Sequence, residues 1–275
     1  MAAALTRETA GAAQRLRTRS TAAPKPAKAS ARSKRVKSAP PPKLDPRTLG
    51  AFGRKLRAWY ARNARDLPWR HSRDPYEILV SELMLQQTQV SRVLEYWTRF
   101  LDRFPTLHAL AAAREKHVLE AWAGLGYYAR ARNLHKLSRA VVREGARAWG
   151  DDARDDDARG DAPLLPSDPL HLRKLPGIGA YTAGAVATFA FERRAALVDT
   201  NVARVLTRVF APRLLPKRAR DQKAIWAIAE STLPRTGKAS WTHNQALMEL
   251  GALVCTARVK RCAKCPVRSV CRSVE

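Results

Sequence analysis

The sequence Leu175-Pro176-Gly177-Ile178-Gly179 lies between two segments with helical periodicity, and it is the stretch that says most about the fold. Glycines allow the backbone to approach a phosphate group closely, and the N-terminus of the helix that follows offers amide donors and a favourable dipole. This arrangement predicts a helix-hairpin-helix clamp on the DNA backbone, with Pro176, Gly177 and Gly179 as contact residues. The alternative is a glycine-rich turn that binds nothing.

Helical periodicity continues on both sides of this hairpin, and no alternating β-strand pattern interrupts it. The residues Asp74-Pro75-Tyr76-Glu77 resemble a capping box with proline at the first helical position, so a helix is predicted to start there. The other predicted helices are residues 90–104, 116–124, 129–143, 180–191, 202–210, 221–233 and 244–254. The predicted fold class is therefore all-α.

The composition indicates a globular domain with a polyanionic partner. The 275 residues carry a formal net charge of +27, and 45% of them are hydrophobic, so the chain can bury a core and still attract nucleic acid. Residues 1–48, rich in Ala, Pro, Lys and Arg, are predicted to be a disordered extension: a DNA tether, an organellar transit peptide or a plain extension. The compact domain is predicted to span residues 49–275, with an acidic surface loop at 151–169. No apolar run approaches the ~20 residues of a membrane span, so no membrane partner is expected.

Two carboxylates differ in their expected surroundings. Glu82 lies among apolar residues on its predicted helix face, and burial there would raise its pKa toward neutrality and suit it to general acid catalysis. Asp199 follows the hairpin and precedes a predicted helix, where polar surroundings would keep it ionised. Such a pair can cleave a glycosidic bond through an oxocarbenium-like transition state. The alternatives are a helix cap for Asp199 and an ordinary ion pair for Glu82.

All four cysteines of the chain lie in one short segment with the spacing C-x6-C-x2-C-x5-C: Cys255, Cys262, Cys265 and Cys271. Four thiolates suit an iron-sulfur cluster or a zinc ion, and the single CxxC knuckle favours the cluster. A pair of disulfides is a further alternative, which requires an oxidising compartment. The segment contains five cations and no acidic residue, which predicts contact with phosphate groups rather than a merely solvated loop; they are Arg258, Lys260, Arg261, Lys264 and Arg268.

Five motifs together resemble the MutY-type adenine DNA glycosylases, which belong to the helix-hairpin-helix superfamily that includes endonuclease III. In chain order they are residues 81–90 (SELMLQQTQV), 124–130 (GLGYYAR), 175–179 (LPGIG), 198–202 (VDTNV) and the four cysteines. The resemblance implies an all-α fold of two lobes, a cleft that receives a flipped-out base, and a 4Fe-4S cluster near the C-terminus.

The resemblance also assigns catalytic roles. Glu82 is similar to the acid that protonates a ring nitrogen of adenine, and Asp199 to the carboxylate that stabilises the sugar cation. Asn201 is similar to the asparagine that orients this aspartate. Tyr181 matches a tyrosine near the sugar, where bifunctional relatives have a lysine. Because tyrosine has no amine to form a Schiff base, hydrolysis without efficient strand cleavage is expected.

DNA contacts are implied in the same way. Gln87 and Tyr127 resemble residues that wedge into the duplex and fill the space around the flipped nucleotide, and Gln86 and Thr88 flank the first of them. A buried core aromatic is the alternative for Tyr127. Family members that read 8-oxoguanine usually have a further C-terminal domain, and this chain is expected to lack it because it ends four residues after Cys271.

The resulting hypothesis is a monofunctional adenine DNA glycosylase of base excision repair, acting on adenine opposite 8-oxoguanine or guanine. Its partner would be double-stranded DNA, and the protein is expected to be a monomer in the cytoplasm, associated with the nucleoid, unless the basic N-terminus directs it to an organelle or nucleus. A thymine or uracil mismatch glycosylase of the same fold is the closest alternative. A noncatalytic DNA-binding module is disfavoured because both Glu82 and Asp199 are present.

Overall fold

The computed structural model describes residues 42–145 and 165–274, and within these ranges the chain is helical. The α-helices are α1 (Pro46–Asn63), α2 (Pro75–Leu85), α3 (Val90–Arg103), α4 (Leu107–Ala112), α5 (Glu115–Ala121), α6 (Ala129–Glu144), α7 (Pro169–Leu172), α8 (Ala180–Phe189), α9 (Thr200–Phe210), α10 (Ala219–Thr232) and α11 (Gly237–Leu253). Short 3-10 turns occur at Pro68–Arg70, Cys262–Lys264 and Arg268–Val270. Among these residues the only β pairing is an isolated bridge between Cys255 and Lys260, so the predicted all-α class is confirmed.

Aspartate caps define the starts of α1 and α2. The carboxylate of Asp45 accepts hydrogen bonds from the backbone N–H groups of Arg47 and Thr48 at 3.3 and 2.9 Å. Asp74 accepts one from the N–H of Tyr76 at 2.7 Å, as the capping signal predicts, and such side-chain caps stabilise the start of a helix. Because α1 already begins at residue 46, the domain boundary predicted at residue 49 falls inside a helix.

Helix α11 begins at Gly237, whereas the sequence pattern predicts a start at residue 244. Thr236 caps the first turn, its hydroxyl accepting a hydrogen bond from the N–H of Ala239 at 3.3 Å. A Cβ on Gly237 would lie 1.4 Å from the carbonyl oxygen of Glu192, so only glycine allows this approach. The early turns bury polar side chains such as His243 rather than a plain apolar stripe, and the periodicity therefore conceals them.

The other predicted helices agree with the structure to within about three residues at each end, the usual uncertainty of helix boundaries. The largest difference is at α5, which ends at Ala121 because the chain turns at Gly124, where φ is +97°. Most of the predicted disordered extension and acidic loop falls on residues 1–41 and 146–164, outside the described ranges. Within those ranges, no helix combines the length and the apolar character needed to cross a membrane.

The helices pack into two lobes, as predicted. In one lobe α2 contacts α3, α6 and α8, while α4 and α5 pack against α6 and α7 packs against α8. In the other lobe α1 and α9 pack on α11, and α10 packs on α9 and α1. Because α8 contacts both α2 and α11, it lies at the junction of the lobes, and residues near its start are within reach of side chains from both.

Each lobe has its own aromatic centre. Phe100 lies edge-on to Trp122 with ring centroids 5.7 Å apart, and Phe52 lies edge-on to Phe210 at 4.9 Å. All four rings are buried, and such pairs contribute about 0.5–1.5 kcal/mol beyond the burial of area. The elements that carry the site are thereby anchored on well-packed supports on both sides of the junction.

Candidate active site and DNA interface

Glu82 is buried near the C-terminal end of α2, with 4% of its surface exposed. Its oxygen Oε2 has no hydrogen-bond partner in the structure described here. Burial raises the pKa of Glu82, the hydroxyl of Tyr181 opposes this shift, and the negative charge of Asp199 adds to it, so that the pKa is about 7. A carboxyl group with this pKa is about half protonated at neutral pH, as a general acid should be.

Asp199 is the N-cap of α9. Its Oδ1 accepts a hydrogen bond from the N–H of Val202 at 2.6 Å, and its Oδ2 accepts one from Nδ2 of Asn201 at 3.0 Å. Burial raises the pKa of Asp199, while these hydrogen bonds and the charge of Arg204 act in the opposite direction. The sequence predicts polar surroundings that keep Asp199 ionised, whereas the structure half-buries it. Asp199 both caps a helix and interacts with Glu82, so the two interpretations of this residue are compatible.

Tyr181 interacts with both carboxyl groups. It is the second residue of α8, and its hydroxyl donates to Sδ of Met248 at 3.4 Å. Burial raises the pKa of this phenol well above its ordinary value, and the negative charges of Glu82 and Asp199 raise it further. Tyr181 therefore stays protonated, and its interactions with Glu82 and Asp199 show that the three side chains lie close together.

A chain of hydrogen bonds fixes Asn201 beside Asp199. Oδ1 of Asn201 accepts from Nη2 of Arg204 at 2.7 Å, and the same Nη2 donates to the carbonyl oxygen of Gly251 at 2.8 Å. A Cβ at Gly251 would lie 2.7 Å from the Cβ of Asn201, so this contact requires glycine. Nε of Arg204 donates to the carbonyl oxygen of Cys255 at 2.9 Å. No sequence motif indicates Arg204, although its spacing of three from Asn201 places both on one helix face.

Glu249 of α11 is a second buried glutamate, and its oxygens are fully paired. Arg65 donates to both of them at 2.8 Å, and Arg70 donates to Oε2 at 2.7 Å. Although burial raises the pKa of Glu249, the hydrogen bonds from Arg65 and Arg70 lower it to about 2. Because Arg70 also lowers the pKa of Glu82, this network lies close to Glu82. No sequence motif pointed to it.

The two segments predicted to wedge into DNA line one open cavity. Gln86, Gln87 and Tyr127 all contribute to it. Gln87 and Tyr127 have φ values of +57° and +48°, and the ring of Tyr127 is 59% exposed, which is inconsistent with a core aromatic. Nε2 of Gln86 donates to Oγ1 of Thr182 at 3.5 Å, and the hydroxyl of Thr88 donates to the carbonyl oxygen of Gln86 at 3.4 Å.

The hairpin between α7 and α8 buries two of its residues in the core and leaves the other three exposed. Leu175 and Ile178 are buried, whereas Pro176, Gly177 and Gly179 are exposed. Gly177 has a φ of +77°, and no atom lies within 4 Å of the space that a side chain at Gly179 would fill. The hairpin backbone is therefore open to the close approach of a phosphate group.

The four cysteines line one cavity beside α9 and α11. All four are free thiols, which is inconsistent with the disulfide alternative. No three His, Cys, Asp or Glu side chains in the described ranges converge as a single metal ion would require; zinc would need its four sulfurs about 3.8 Å apart, given Zn–S bonds of about 2.3 Å. Four thiols around a common cavity are the type of ligand that an iron-sulfur cluster takes.

The surface of this cysteine segment is cationic, as predicted. Its five basic side chains, named above, are all exposed. A sixth cation lies beneath it, because Nη1 of Arg208 donates to Sγ of Cys255 at 3.3 Å and to the carbonyl oxygen of Thr256 at 2.8 Å. The charge of Arg208 beneath the segment favours the thiolate form of the cysteines. The exposed cations on its surface favour contact with phosphate groups.

Residues 80–230 match the family described as HhH-GPD superfamily base excision DNA repair protein. The chain belongs to this superfamily. The match includes the end of α2, the hairpin, α8 and the whole of α9, and therefore Glu82, Tyr181 and Asp199. The two-lobed, helical architecture of this superfamily member is thus supported by its sequence and by its structure.

Curated relatives of this superfamily member are called adenine DNA glycosylase. The rat protein is 41% identical over 81% of this chain and 42% of its own length, and the human protein is 41% identical over 81% and 39%. The protein of Mycolicibacterium smegmatis is 44% identical over 79% of this chain and 68% of its own length. The chain thus spans about two fifths of the mammalian relatives and about two thirds of the mycobacterial one. The resemblance to MutY-type proteins is confirmed.

Solved structures share the fold. A thermostable thymine-DNA glycosylase has a TM-score of 0.69 and 28% sequence identity, covering 82% of this chain and 96% of that one. An endonuclease III in a noncovalent complex with DNA has a TM-score of 0.63 and 23% identity, covering 84% and 97%. The second likeness concerns the fold alone.

Proposed function

We propose that this chain is an adenine DNA glycosylase of base excision repair, which hydrolyses the N-glycosidic bond of adenine opposite 8-oxoguanine or guanine. The observation that carries the proposal is the proximity of Glu82, buried with a free Oε2 and a pKa of about 7, to the hydrogen-bonded Asp199, whose charge acts on it. The names of the curated relatives support adenine as the target base.

In the proposed reaction, Glu82 donates its proton to a ring nitrogen of the flipped adenine, which makes the base a better leaving group. As the bond between C1′ and the base breaks, its electron pair stays with adenine and positive charge develops on the sugar. Asp199, oriented by Asn201, stabilises that charge. A water molecule then adds to C1′ and releases a proton, leaving an abasic site and free adenine.

The proposed enzyme is monofunctional. Tyr181 occupies the place near the two carboxyl groups where a lysine amine would have to be to form a Schiff base with the sugar. Its phenol stays protonated because burial and the neighbouring charges raise its pKa, so it is a poor nucleophile. Its role is to hold Glu82 in place and to shape the pocket around the sugar.

Double-stranded DNA is the proposed partner, held at three places. The hairpin backbone at Gly177 and Gly179 contacts phosphate, the cations of the cysteine segment contact it nearby, and Gln87 and Tyr127 enter the duplex, with Gln86 and Thr88 beside them. Because the contacts are led by phosphate groups, the affinity should fall steeply between ~50 and ~200 mM salt. An affinity that hardly changes over this range would contradict this interface.

We assign the four cysteines as ligands of a 4Fe-4S cluster, which would tie the cationic segment to α9 and α11. The fit rests on four half-buried thiols around one cavity and on the cation Arg208 beside Cys255. Anaerobically purified protein should contain about four iron and four acid-labile sulfide per chain and show a broad visible absorption that acid abolishes. Stoichiometric zinc in place of iron would overturn this assignment.

The activity is tested with four duplexes containing A·8-oxoG, A·G, T·G or U·G, each incubated with the protein and then treated with alkali. Base release from the two adenine duplexes is expected, and strand cleavage should appear only after alkali. Release from T·G or U·G alone would replace the adenine assignment by the mismatch alternative. Efficient cleavage before alkali would contradict the monofunctional mechanism.

A further inference from the structure

A single buried arginine bonds the whole turn that follows α2. Arg130, in the first turn of α6, is 7% exposed. Its Nη1 donates to the carbonyl oxygens of Leu83 and Met84 at 2.9 and 2.8 Å, to that of Gln86, and to Oγ1 of Thr88 at 3.1 Å. The two hydrogens of Nη1 are shared among these four acceptors, so the orphan carbonyls at the C-terminal end of α2 are satisfied by bifurcated bonds from a side chain of another helix.

The other amino group of Arg130 bonds the segment that precedes Tyr127. Nη2 donates to the carbonyl oxygens of Leu125 and Gly126, both at 3.1 Å. The guanidinium carbon lies 5.5 Å from the ring centroid of Trp122, which is buried, and 5.4 Å from that of Tyr127, which is exposed. One planar group therefore spans both segments and also contacts a wedge side chain directly.

The charge of Arg130 has no acidic partner among its bonded groups. All its hydrogen-bond acceptors in the described residues are backbone carbonyls or a hydroxyl. Carbonyl dipoles at the negative end of α2 and two aromatic faces stabilise the cation instead. A carboxylate here would repel the phosphate groups of a duplex entering the cavity, whereas carbonyls leave the local potential positive.

Both wedge residues hold unfavourable backbone conformations next to these bonds. Gln87 and Tyr127 have positive φ values, which cost of order 1–3 kcal/mol each in a non-glycine residue. Each directly follows a residue whose carbonyl oxygen Arg130 binds, Gln86 and Gly126. The guanidinium thus holds both turns in the conformation that presents their side chains to the cavity.

We infer that Arg130 is a positioning residue: it fixes the separation of Gln87 and Tyr127, so that both side chains enter the duplex together and the adenine is unstacked. Because this role presupposes the proposed function, its test needs a readout that does not depend on base release. The fluorescence of a 2-aminopurine placed beside the target adenine rises when the stack opens and serves this purpose.

The test compares the wild type with Arg130→Lys, which keeps the charge but cannot span both segments. The fluorescence rise at saturating protein and the single-turnover excision rate should fall together, the rate by about tenfold, since unstacking a base costs a few kcal/mol. The pH profile of the residual rate should not move, because Glu82 is unaffected. A slower rate with a full fluorescence rise, or an unchanged rate and rise, would overturn the inference.

Two further variants complete the test. Arg139→Met removes an exposed cation from the same helix α6 without touching either segment, and it should retain the wild-type fluorescence and rate. If thermal melting shows that Arg130→Lys is unfolded, Thr88→Val decides: it removes one Arg130 acceptor, and an undiminished fluorescence rise would then refute the role. Wild-type protein that opens the stack but releases no base would refute the proposed function and leave the Arg130 test intact.

Discussion

Two buried glutamates of this chain behave in opposite ways. Glu82 is almost fully buried, has one oxygen without a partner, and has a pKa of about 7. Glu249 is fully buried, has both oxygens bound by Arg65 and Arg70, and has a pKa of about 2. Burial acts in the same direction on both groups, so the partners decide the result. One site stores a proton, and the other holds a charge that joins α11 to the segment before α2.

The largest effect is expected from Glu82→Gln, which should lower the excision rate by about 10²–10⁴-fold because the general acid is lost. The free energy of unfolding should not decrease, since an amide removes a costly buried ionisable group. Rates are measured by single-turnover excision and stability by urea unfolding. Glu95→Gln, at an exposed position of α3, is the matched control and should change neither quantity. A Glu82→Gln enzyme with undiminished rate would refute the assigned role.

The reverse pattern is expected for Glu249→Gln. Two arginines lose a buried anionic partner, so the free energy of unfolding should fall by about 3–5 kcal/mol, while the rate per folded molecule falls less than in Glu82→Gln. Glu230→Gln breaks a pair with Arg194 whose side chains are 41% and 54% exposed, and it should cost less than about 1 kcal/mol. Equal losses for the two variants would show that Glu249 is not a structural anchor.

The two sites should also respond to pH in different windows. The folded-state pKa of Glu82 lies above its ordinary value of 4.5, so stability should fall as pH rises from about 4.5 through 7. The pKa of Glu249 lies below 4.5, so stability should fall as pH decreases from about 4.5 to 2. Each window corresponds to roughly 3 kcal/mol. The free energy of unfolding, measured with urea across this pH range, should no longer change between pH 4.5 and 7 in Glu82→Gln. Its decrease below pH 4.5 should remain.

The smallest effect is expected from Tyr181→Phe. The Tyr181 hydroxyl lowers the pKa of Glu82, so its removal should move the alkaline limb of the excision rate to higher pH by less than about one unit. The measurement is the pH profile of the single-turnover rate for wild type and variant. A shift toward lower pH would mean that the hydroxyl favours the protonated form of Glu82 instead.

Local signals in the sequence predicted one of these glutamates and not the other. Glu82 stands out because a charged residue is unexpected on an apolar helix face, and Asp199 because it follows a glycine hairpin and precedes a helix. Glu249 looks like an ordinary helical acid, since its partners are 184 and 179 residues away in the chain. Spacing cannot reveal pairings that only tertiary packing creates.

The same limit applies to the fold and to the wedge segments. Capping residues and apolar periodicity predicted most helices, because those signals are local. They did not predict the first turns of α11, because these turns bury polar side chains. The motifs at Gln87 and Tyr127 were visible, whereas their common support, Arg130, was not, because its acceptors are mostly carbonyl oxygens that every residue has. A sequence shows which side chains can donate hydrogen bonds, but it does not show which backbone carbonyls will lack a donor in the fold.

That property of Arg130 has an evolutionary consequence. Five of its six acceptors are backbone carbonyls, and no mutation of the neighbouring residues can remove a carbonyl. A lost guanidinium would remove a donor from all five oxygens, and only those of Gln86 and Gly126 would keep a second side-chain donor, the Thr88 hydroxyl and Nε1 of Trp122. No single second-site substitution could restore a donor to the other three. Substitutions of Arg130 should therefore be hard to compensate at other positions. A population that carries such a substitution should regain the activity by reversion to arginine.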